Sequence, residues 1–157
     1  MSTIAGPTSV STSTIVETSA EHAFSVFTEG IGSWWDPSHH ILQAQLAEMV
    51  FEPRVGGHVL DRGVDGSECR WGRVLVYDPP RHVAFSWLIN TSWTLETDPA
   101  RASEVHVTFE PQGERRTLVT LEHRHLDRHG EGWESMRDAV GSGWSLTRFA
   151  EVASDQD

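Results

Sequence analysis

Two histidines in the last third of the chain, His123 and His125, are the polar residues best spaced for chemistry. One residue separates them, so in a strand they point to the same face, together with Val119 and Leu121. Imidazole changes its charge near neutral pH, and such a pair can exchange protons with a bound molecule or hold its polar groups. A metal site would need a third ligand, for which the sequence offers only candidates such as His129. We predict polar contacts to a ligand here, with no metal and no other cofactor.

The short motifs of the common enzyme classes are absent from the sequence. It contains no glycine-rich phosphate loop, no G-x-S-x-G nucleophile turn and no H-E-x-x-H metal helix. Cys69 is the only cysteine and lacks the neighbours of an activated thiolate, so we predict a passive, small apolar side chain. No residue is assigned a catalytic role at this point. An enzyme that uses the histidines as acid and base stays open as an alternative to a binding protein.

The aromatic residues indicate a second feature, because the chain has seven tryptophans and only one tyrosine. Each indole brings a large, flat apolar surface, which suits either an ordinary core or the wall of a ligand site. Both readings stay open for any one tryptophan. The residues that we predict to line a ligand site are Trp35, Trp71, Phe85, Trp87, Phe109, Leu121, His123, His125, Met136, Val140 and Trp144.

Composition limits the partners and the number of domains. With 157 residues, 38% of them hydrophobic, the chain suffices for one core, and we predict one domain over 10–153 between flexible segments 1–9 and 154–157. The formal charge of −11 repels phosphate groups, which argues against nucleic acid and anionic membranes as partners. No leader or membrane-spanning segment is evident, so we predict the cytoplasm as the compartment.

The elements that must position these residues are mainly strands. Alternation and turn chemistry predict seven strands: Ser11–Glu17, Glu48–Arg54, His58–Arg62, Trp71–Tyr77, Val83–Ile89, Glu104–Glu110 and Thr117–Leu126. A further short strand is predicted near Trp93. A capping box that begins at Thr18 predicts a short helix, and a further turn follows over Ile31–Trp35. An apolar stripe from about Gly132 to Val152 predicts one long final helix. Gly141 and Gly143 within it indicate a kink or a close approach.

Several of these segments resemble a known superfamily. The motifs are Glu52–Gly57, Trp71–Arg81, Phe85–Trp87, Glu122–His123 and Gly143–Leu146. Together they are similar to the SRPBCC (START-like) superfamily, in particular to its branch of activators of heat-shock-protein ATPase, over about Val10 to Ala153. The run Glu122–Gly130 is also similar to bacterial members that protect producers of enediyne antibiotics. His58 departs from the arginine that the branch commonly has after its paired glycines.

This resemblance implies an α+β helix-grip fold. In that fold a curved antiparallel sheet of about six to seven strands wraps around a long C-terminal helix, two short helices follow the first strand, and an apolar cavity lies between. The implied function is the binding of a small apolar molecule that is lipid-like, aromatic or polyketide-like, for instance in antibiotic resistance or sequestration. Two alternatives are an aromatase, cyclase or hydrolase that uses the cavity histidines, and a domain that binds a chaperone. A homodimer is a further expectation.

Overall fold

The computed structural model describes residues 8–35, 45–143 and 146–155. Within these ranges the main element is a seven-stranded antiparallel sheet, curled into a half-barrel, with strand order β1-β7-β6-β5-β4-β3-β2. The strands are β1 Val10–Val16, β2 Leu46–Phe51, β3 His58–Gly63, β4 Glu68–Asp78, β5 His82–Trp87, β6 Ser103–Gly113 and β7 Arg116–Arg124. The helices of the same ranges are α1 Ala20–Phe27, α2 Ile31–Trp34, α3 Trp133–Gly143 and α4 Thr147–Asp155, with 3-10 helices at Pro99–Arg101 and Leu126–His129.

The order of the strands follows the chain from β2 to β7, and β1 then pairs with β7. This last pairing places Val10 opposite His123 and Val16 opposite Thr117. Antiparallel hairpins explain the sequential order, because short turns can join neighbouring strands directly. The predicted α+β helix-grip class is therefore confirmed, with the C-terminal helical region packed on the sheet.

Some strand ends differ from the predicted ones. The strand predicted over Val83–Ile89 ends at Trp87, and the short strand expected near Trp93 is a single bridge between Ile89 and Leu95. Trp93 itself has φ +59°, which is incompatible with extended backbone. The local propensity of this segment is therefore overridden by a turn.

A β-bulge shapes the sheet where β3 meets β4. The pairing shifts between Val59 and Leu60, so that Trp71 stands in the ladder without a register partner on the described part of β3. The next residue must be small, because a Cβ on Gly72 would lie 3.0 Å from the carbonyl oxygen of Ser86. Bulges bend a strand and increase its twist, which turns this end of the sheet inward.

The first helix is capped one residue later than the sequence predicts. The side chain of Ser19 accepts a hydrogen bond from the backbone N–H of His22 at 3.2 Å, so Ser19 is the N-cap and the prediction of Thr18 is wrong. Thr18 is buried, and its carbonyl oxygen accepts a hydrogen bond from the Thr117 hydroxyl at 2.9 Å. Thr18 is thus held against β7 by its carbonyl oxygen, and the next residue, Ser19, provides the cap.

The predicted single final helix is two helices. α3 ends at Gly143, α4 begins at Thr147, and Leu146 between them is not helical. Glycine costs about 1 kcal/mol relative to alanine inside a helix, so the glycines at the end of α3 favour a break there. Phe149 of α4 is fully buried, which fixes the second helix on the core. None of the helices in the described ranges is long and apolar enough to cross a bilayer.

Candidate functional site

The inner face of the sheet carries a cluster of aromatic and polar side chains at one end. Trp87 of β5 is the register partner of Ser103 on β6, and His123 of β7 pairs with Val105. Trp87, Ser103 and His123 are all buried, with exposed fractions of 5%, 0% and 0%. Because side chains alternate across a strand, this register brings residues from three strands to one inward-facing patch.

Three indoles form a continuous series that leads to this patch. The ring centroids of Trp35 and Trp71 lie 5.6 Å apart, and those of Trp71 and Trp87 lie 5.4 Å apart. The series ends on His123, whose ring lies 5.1 Å from that of Trp87. These spacings and tilted or edge-on angles are those that aromatic pairs favour. We refer to Trp35, Trp71 and Trp87 as the tryptophan row.

The row meets the outside at Trp35, which is only half-buried. An open cleft of about 470 Å³ lies beside it, between α2, β2 and α4. The cleft is lined by Glu29, Gly30, Gly32, Ser33, Trp35, Leu46, Ala47, Glu48, Met49 and Arg148. A molecule in this cleft would contact the exposed end of the tryptophan row.

A buried carboxylate fixes the middle of the row. Asp61 of β3 is 2% exposed, and its Oδ1 accepts a hydrogen bond from the Trp71 indole N–H at 3.1 Å. A hydrogen bond to a charged group is stronger than a neutral one, so it holds the indole plane in place. Burial, and then the neighbouring Asp61, raise the pKa of the Cys69 thiol. The neutral thiol is therefore favoured, which agrees with a passive cysteine.

A serine joins two buried histidines at the inner end of the row. The Ser103 hydroxyl oxygen lies 2.7 Å from Nε2 of His123 and 2.7 Å from Nε2 of His129. His129 is 1% exposed. Burial and the nearby His129 lower the pKa of His123 to about 3. Burial also lowers the pKa of His129, although Glu96 opposes that shift and Arg101 adds to it. Both imidazoles are neutral at pH 7, and we call the three residues the histidine–serine bridge.

The side chain of Arg101 holds the backbone of His129. A guanidinium N–H of Arg101 donates to the His129 carbonyl oxygen at 3.1 Å. Gly130 has φ +85°, and a Cβ at this position would lie 2.6 Å from Nη2 of Arg101. Residue 130 must therefore be glycine for Arg101 to reach the His129 carbonyl oxygen in this position. Nδ1 of His129 is buried and has no hydrogen-bond partner within the part of the chain that the structure describes.

The prediction that His123 and His125 lie on the same strand face is wrong. β7 ends at Arg124, and His125 adopts a left-handed backbone with φ +62°. The alternation of a strand stops there, so His125 is exposed whereas His123 points inward. Leu126 is buried in its place, and its N–H donates to the Thr8 carbonyl oxygen at 2.9 Å.

The other predicted lining residues separate into groups. Phe85 lies 5.9 Å from Trp71 and joins the tryptophan row, whereas Phe109 packs against Phe24 of α1 at 5.1 Å, in another part of the core. The further predicted residues that are buried are Leu121, Met136 and Val140. Trp144 lies outside the described residues.

Sequence reasoning missed Ser103 and Asp61, although a signal was present for both. The alternation through Val105 and Val107 extends back to Ser103, and the alternation through Val59 extends forward to Asp61. A polar residue in phase with an apolar strand face marks a buried polar site. In the described ranges no group of three or more His, Cys, Asp or Glu side chains is arranged to hold a metal ion.

The curled antiparallel sheet, with C-terminal helices packed on it, places the chain among SRPBCC-type domains. Within that class, the chain belongs to the family described as "Activator of Hsp90 ATPase homolog 1-like protein", whose profile matches residues 17–152. No functionally curated protein matches the chain.

Solved structures extend the comparison. The chain is 42% identical to Txn09, an anthrahydroquino-gamma-pyrone synthase, over 93% of this chain and 96% of that one, with a TM-score of 0.66. It is 26% identical to CalC, a self-sacrificing resistance protein from Micromonospora echinospora, over 96% and 93% of the two chains, with a TM-score of 0.62. Protein NE0264 from Nitrosomonas europaea shares the fold at 13% identity, 99% and 100% coverage and a TM-score of 0.68. The family, Txn09 and CalC support a small-molecule-binding domain.

Proposed function

We propose that the protein binds a planar, polycyclic aromatic molecule of the polyketide type along the tryptophan row and closes an oxygen-containing ring on it. The observation that carries the proposal is the row itself, in which three indoles lead from an open cleft to buried imidazoles. Indole faces supply flat apolar area and favour offset or edge contacts with other aromatic rings. A fused-ring ligand can match several of these faces at once.

The similarity to Txn09 supports the ring-closing part of the proposal. Identity of 42% extends over 93% of this chain, so it includes the sheet and the C-terminal helices that surround the site. The name of that synthase describes a product that contains both an anthrahydroquinone and a γ-pyrone. We infer the same class of substrate for this chain: fused aromatic rings on which a six-membered ring with one oxygen is formed.

Such a ring closure has a simple chemical requirement. A hydroxyl group must lose its proton as its oxygen attacks a carbon of the side chain, and another oxygen must gain a proton before it leaves. A side chain with a suitable pKa accelerates such steps by about 10²–10⁴-fold. The neutral imidazoles of the histidine–serine bridge have the chemistry for this task.

Sequestration is the second candidate function, because CalC is 26% identical over 96% of this chain. In that case the same buried row would enclose a toxic aromatic molecule without turnover. The two functions differ in stoichiometry, since an enzyme converts many equivalents and a sequestering protein stops after one. A chaperone or a second copy of the chain remains a proposed partner, and the cytoplasm remains the proposed compartment.

Binding is tested by calorimetric titration with 1,8-dihydroxyanthraquinone, with palmitate as the lipid-like comparison. We expect saturable 1:1 binding of the anthraquinone, and at least about tenfold weaker binding by Trp87→Phe, because a large part of the flat contact surface is lost. Trp93→Phe is the matched control, since Trp93 is 45% exposed and lies outside the row. Tight binding of palmitate alone would overturn the aromatic class.

Turnover is tested with a 1-hydroxyanthraquinone that carries a 1,3-diketone side chain at the neighbouring carbon. Its ring closure to an anthraquinone-fused γ-pyrone can be followed by mass spectrometry, with an enzyme-free sample as the blank. Many equivalents of product per protein support the synthase. Binding without product supports sequestration and overturns ring closure of this substrate class.

A further inference from the structure

The histidine–serine bridge contains one hydroxyl hydrogen between two ring nitrogens. Ser103 lies 2.7 Å from both Nε2 atoms, and its single O–H can donate to only one of them. The other Nε2 must then carry a hydrogen and donate to the serine oxygen. The two neutral imidazoles therefore hold opposite tautomers, and Ser103 links the tautomer of one ring to that of the other.

In this bridge, the ring nitrogen that can act as a base is Nδ1 of His129. When Nε2–H of His129 donates to Ser103, and Ser103 donates to His123, Nδ1 of His129 is a bare lone pair. This atom is buried without a hydrogen-bond partner among the described residues, which is an unfavourable state for a purely structural side chain. A buried polar atom of this kind calls for a group that the described chain does not provide.

We propose that Nδ1 of His129 accepts and returns a proton during ring closure, while Ser103 and His123 hold His129 in the tautomer with the bare Nδ1. This inference rests on the proposed function and names the group that acts in it. In these terms His129 is the catalytic residue, and Ser103 and His123 are positioning residues.

The reaction balances without an oxidant or reductant. The phenolic oxygen of the diketone substrate attacks the far ketone carbon, its proton passes to His129, and a C–O bond forms. His129 returns the proton to the former ketone oxygen, which becomes a hydroxyl. That hydroxyl leaves as water with one hydrogen of the methylene group between the ketones, and a C=C bond completes the γ-pyrone.

The surroundings of His129 suit a base that works at neutral pH. Burial and Arg101 lower its pKa, whereas Glu96 limits the decrease, so the ring is neutral and ready to accept a proton at pH 7. The hydrogen bond from Arg101 to the carbonyl oxygen of His129 holds the backbone of this residue, and the contact of Nε2 with Ser103 holds its ring. A general base gains from such fixed geometry because proton transfer needs a short hydrogen bond.

The test uses His129→Gln, because the glutamine amide can keep the donor to Ser103 but has no nitrogen in place of Nδ1. We expect kcat for the diketone to fall by about 100-fold or more, with 1,8-dihydroxyanthraquinone binding within about twofold of the wild type. His82→Gln, at a histidine on another part of the sheet, is the matched control and should keep full activity. Turnover by His129→Gln within about threefold of the wild type would overturn the proposal.

The positioning role has its own readout. Ser103→Ala should lower kcat with KM little changed and should shift the acid limb of the pH–kcat profile, which a loss of packing alone would not do. Nitrogen-15 NMR of the unmodified protein provides a second test that needs no variant: at pH 7 Nδ1 of His129 should be unprotonated. A protonated Nδ1 in the free protein contradicts the inference. If the wild type neither binds the anthraquinone nor converts the diketone, the proposed function itself fails.

Discussion

The two ends of the inner sheet face are built from the same strands but carry different chemistry. At one end, Val83, Val107 and Phe109 are buried, and Phe109 contacts Phe24 and Phe27 of α1 at 5.1 and 6.0 Å. At the other end, the same strands β5 and β6 carry Trp87 and Ser103. We call these the helix-covered end and the tryptophan end.

The difference shows how one sheet separates stability from function. Apolar side chains at the helix-covered end contribute burial and close packing with no polar group to satisfy. At the tryptophan end, Asp61, Ser103 and His123 are all buried, although burial of such groups is costly unless they are hydrogen-bonded. Polar groups kept in the interior at that cost are candidates for a functional role.

The largest effect should come from the helix-covered end. Phe27 is fully buried and contacts Trp34, Phe109 and Phe149 through its ring. Phe27→Ala should lower the free energy of unfolding by about 3–5 kcal/mol, because a cavity replaces a large side chain. Urea unfolding measures this loss, and Phe27→Leu is the milder control. The folded fraction should still bind the anthraquinone. A small loss of stability together with abolished binding would contradict the division of stability and binding between the two ends.

The middle of the tryptophan row should show a smaller effect on stability and a clear effect on binding. Trp71→Phe removes the indole donor to buried Asp61, and a hydrogen bond to a charged group contributes about 1.5–3 kcal/mol. We expect a loss of about 2–3 kcal/mol by urea unfolding, together with weaker anthraquinone binding. Trp93→Phe, the same change at an exposed position, should stay within about 0.5 kcal/mol of the wild type. Equal losses from the two variants would contradict this account.

Acid should destabilise the tryptophan end in particular. Below pH 6.5 the unfolded chain protonates His123, whereas the folded ring, with its pKa of about 3, does not. The stability from this group is therefore complete well above pH 6.5 and falls as the pH decreases, by about 2 kcal/mol between pH 7.5 and 5.0. His123→Gln should reduce the stability difference between pH 7.5 and 5.0 by that amount in urea titrations. An unchanged pH dependence would show that His123 is protonated in the folded protein.

Local patterns predicted the sheet better than they predicted the site. The alternation of Glu104–Glu110 placed Val105, Val107 and Phe109 correctly on the buried face, and the helix-grip class is confirmed. The prediction that His123 and His125 share a face failed because one left-handed residue ends the alternation. A period of two predicts faces only as far as the strand continues.

The histidine–serine bridge could not be predicted as a unit. Its residues come from β6, β7 and the 3-10 helix that follows, and only strand register together with a turn brings Ser103 to His129. The contact between Trp71 and Asp61 depends on a bulge that the sequence does not specify. Likewise, α3 ends at Gly143, whereas the sequence predicts one long helix with a kink or a close approach at its glycines.

NMR of the seven indole N–H groups can show whether the tryptophan end of the sheet holds an aromatic ligand. The signals can be assigned with single Trp→Phe variants and followed while 1,8-dihydroxyanthraquinone is added. We expect the signals of Trp35, Trp71 and Trp87 to shift together and saturate at one equivalent, while that of Trp93 stays in place. Saturable binding that leaves all three of these signals unchanged would contradict this expectation.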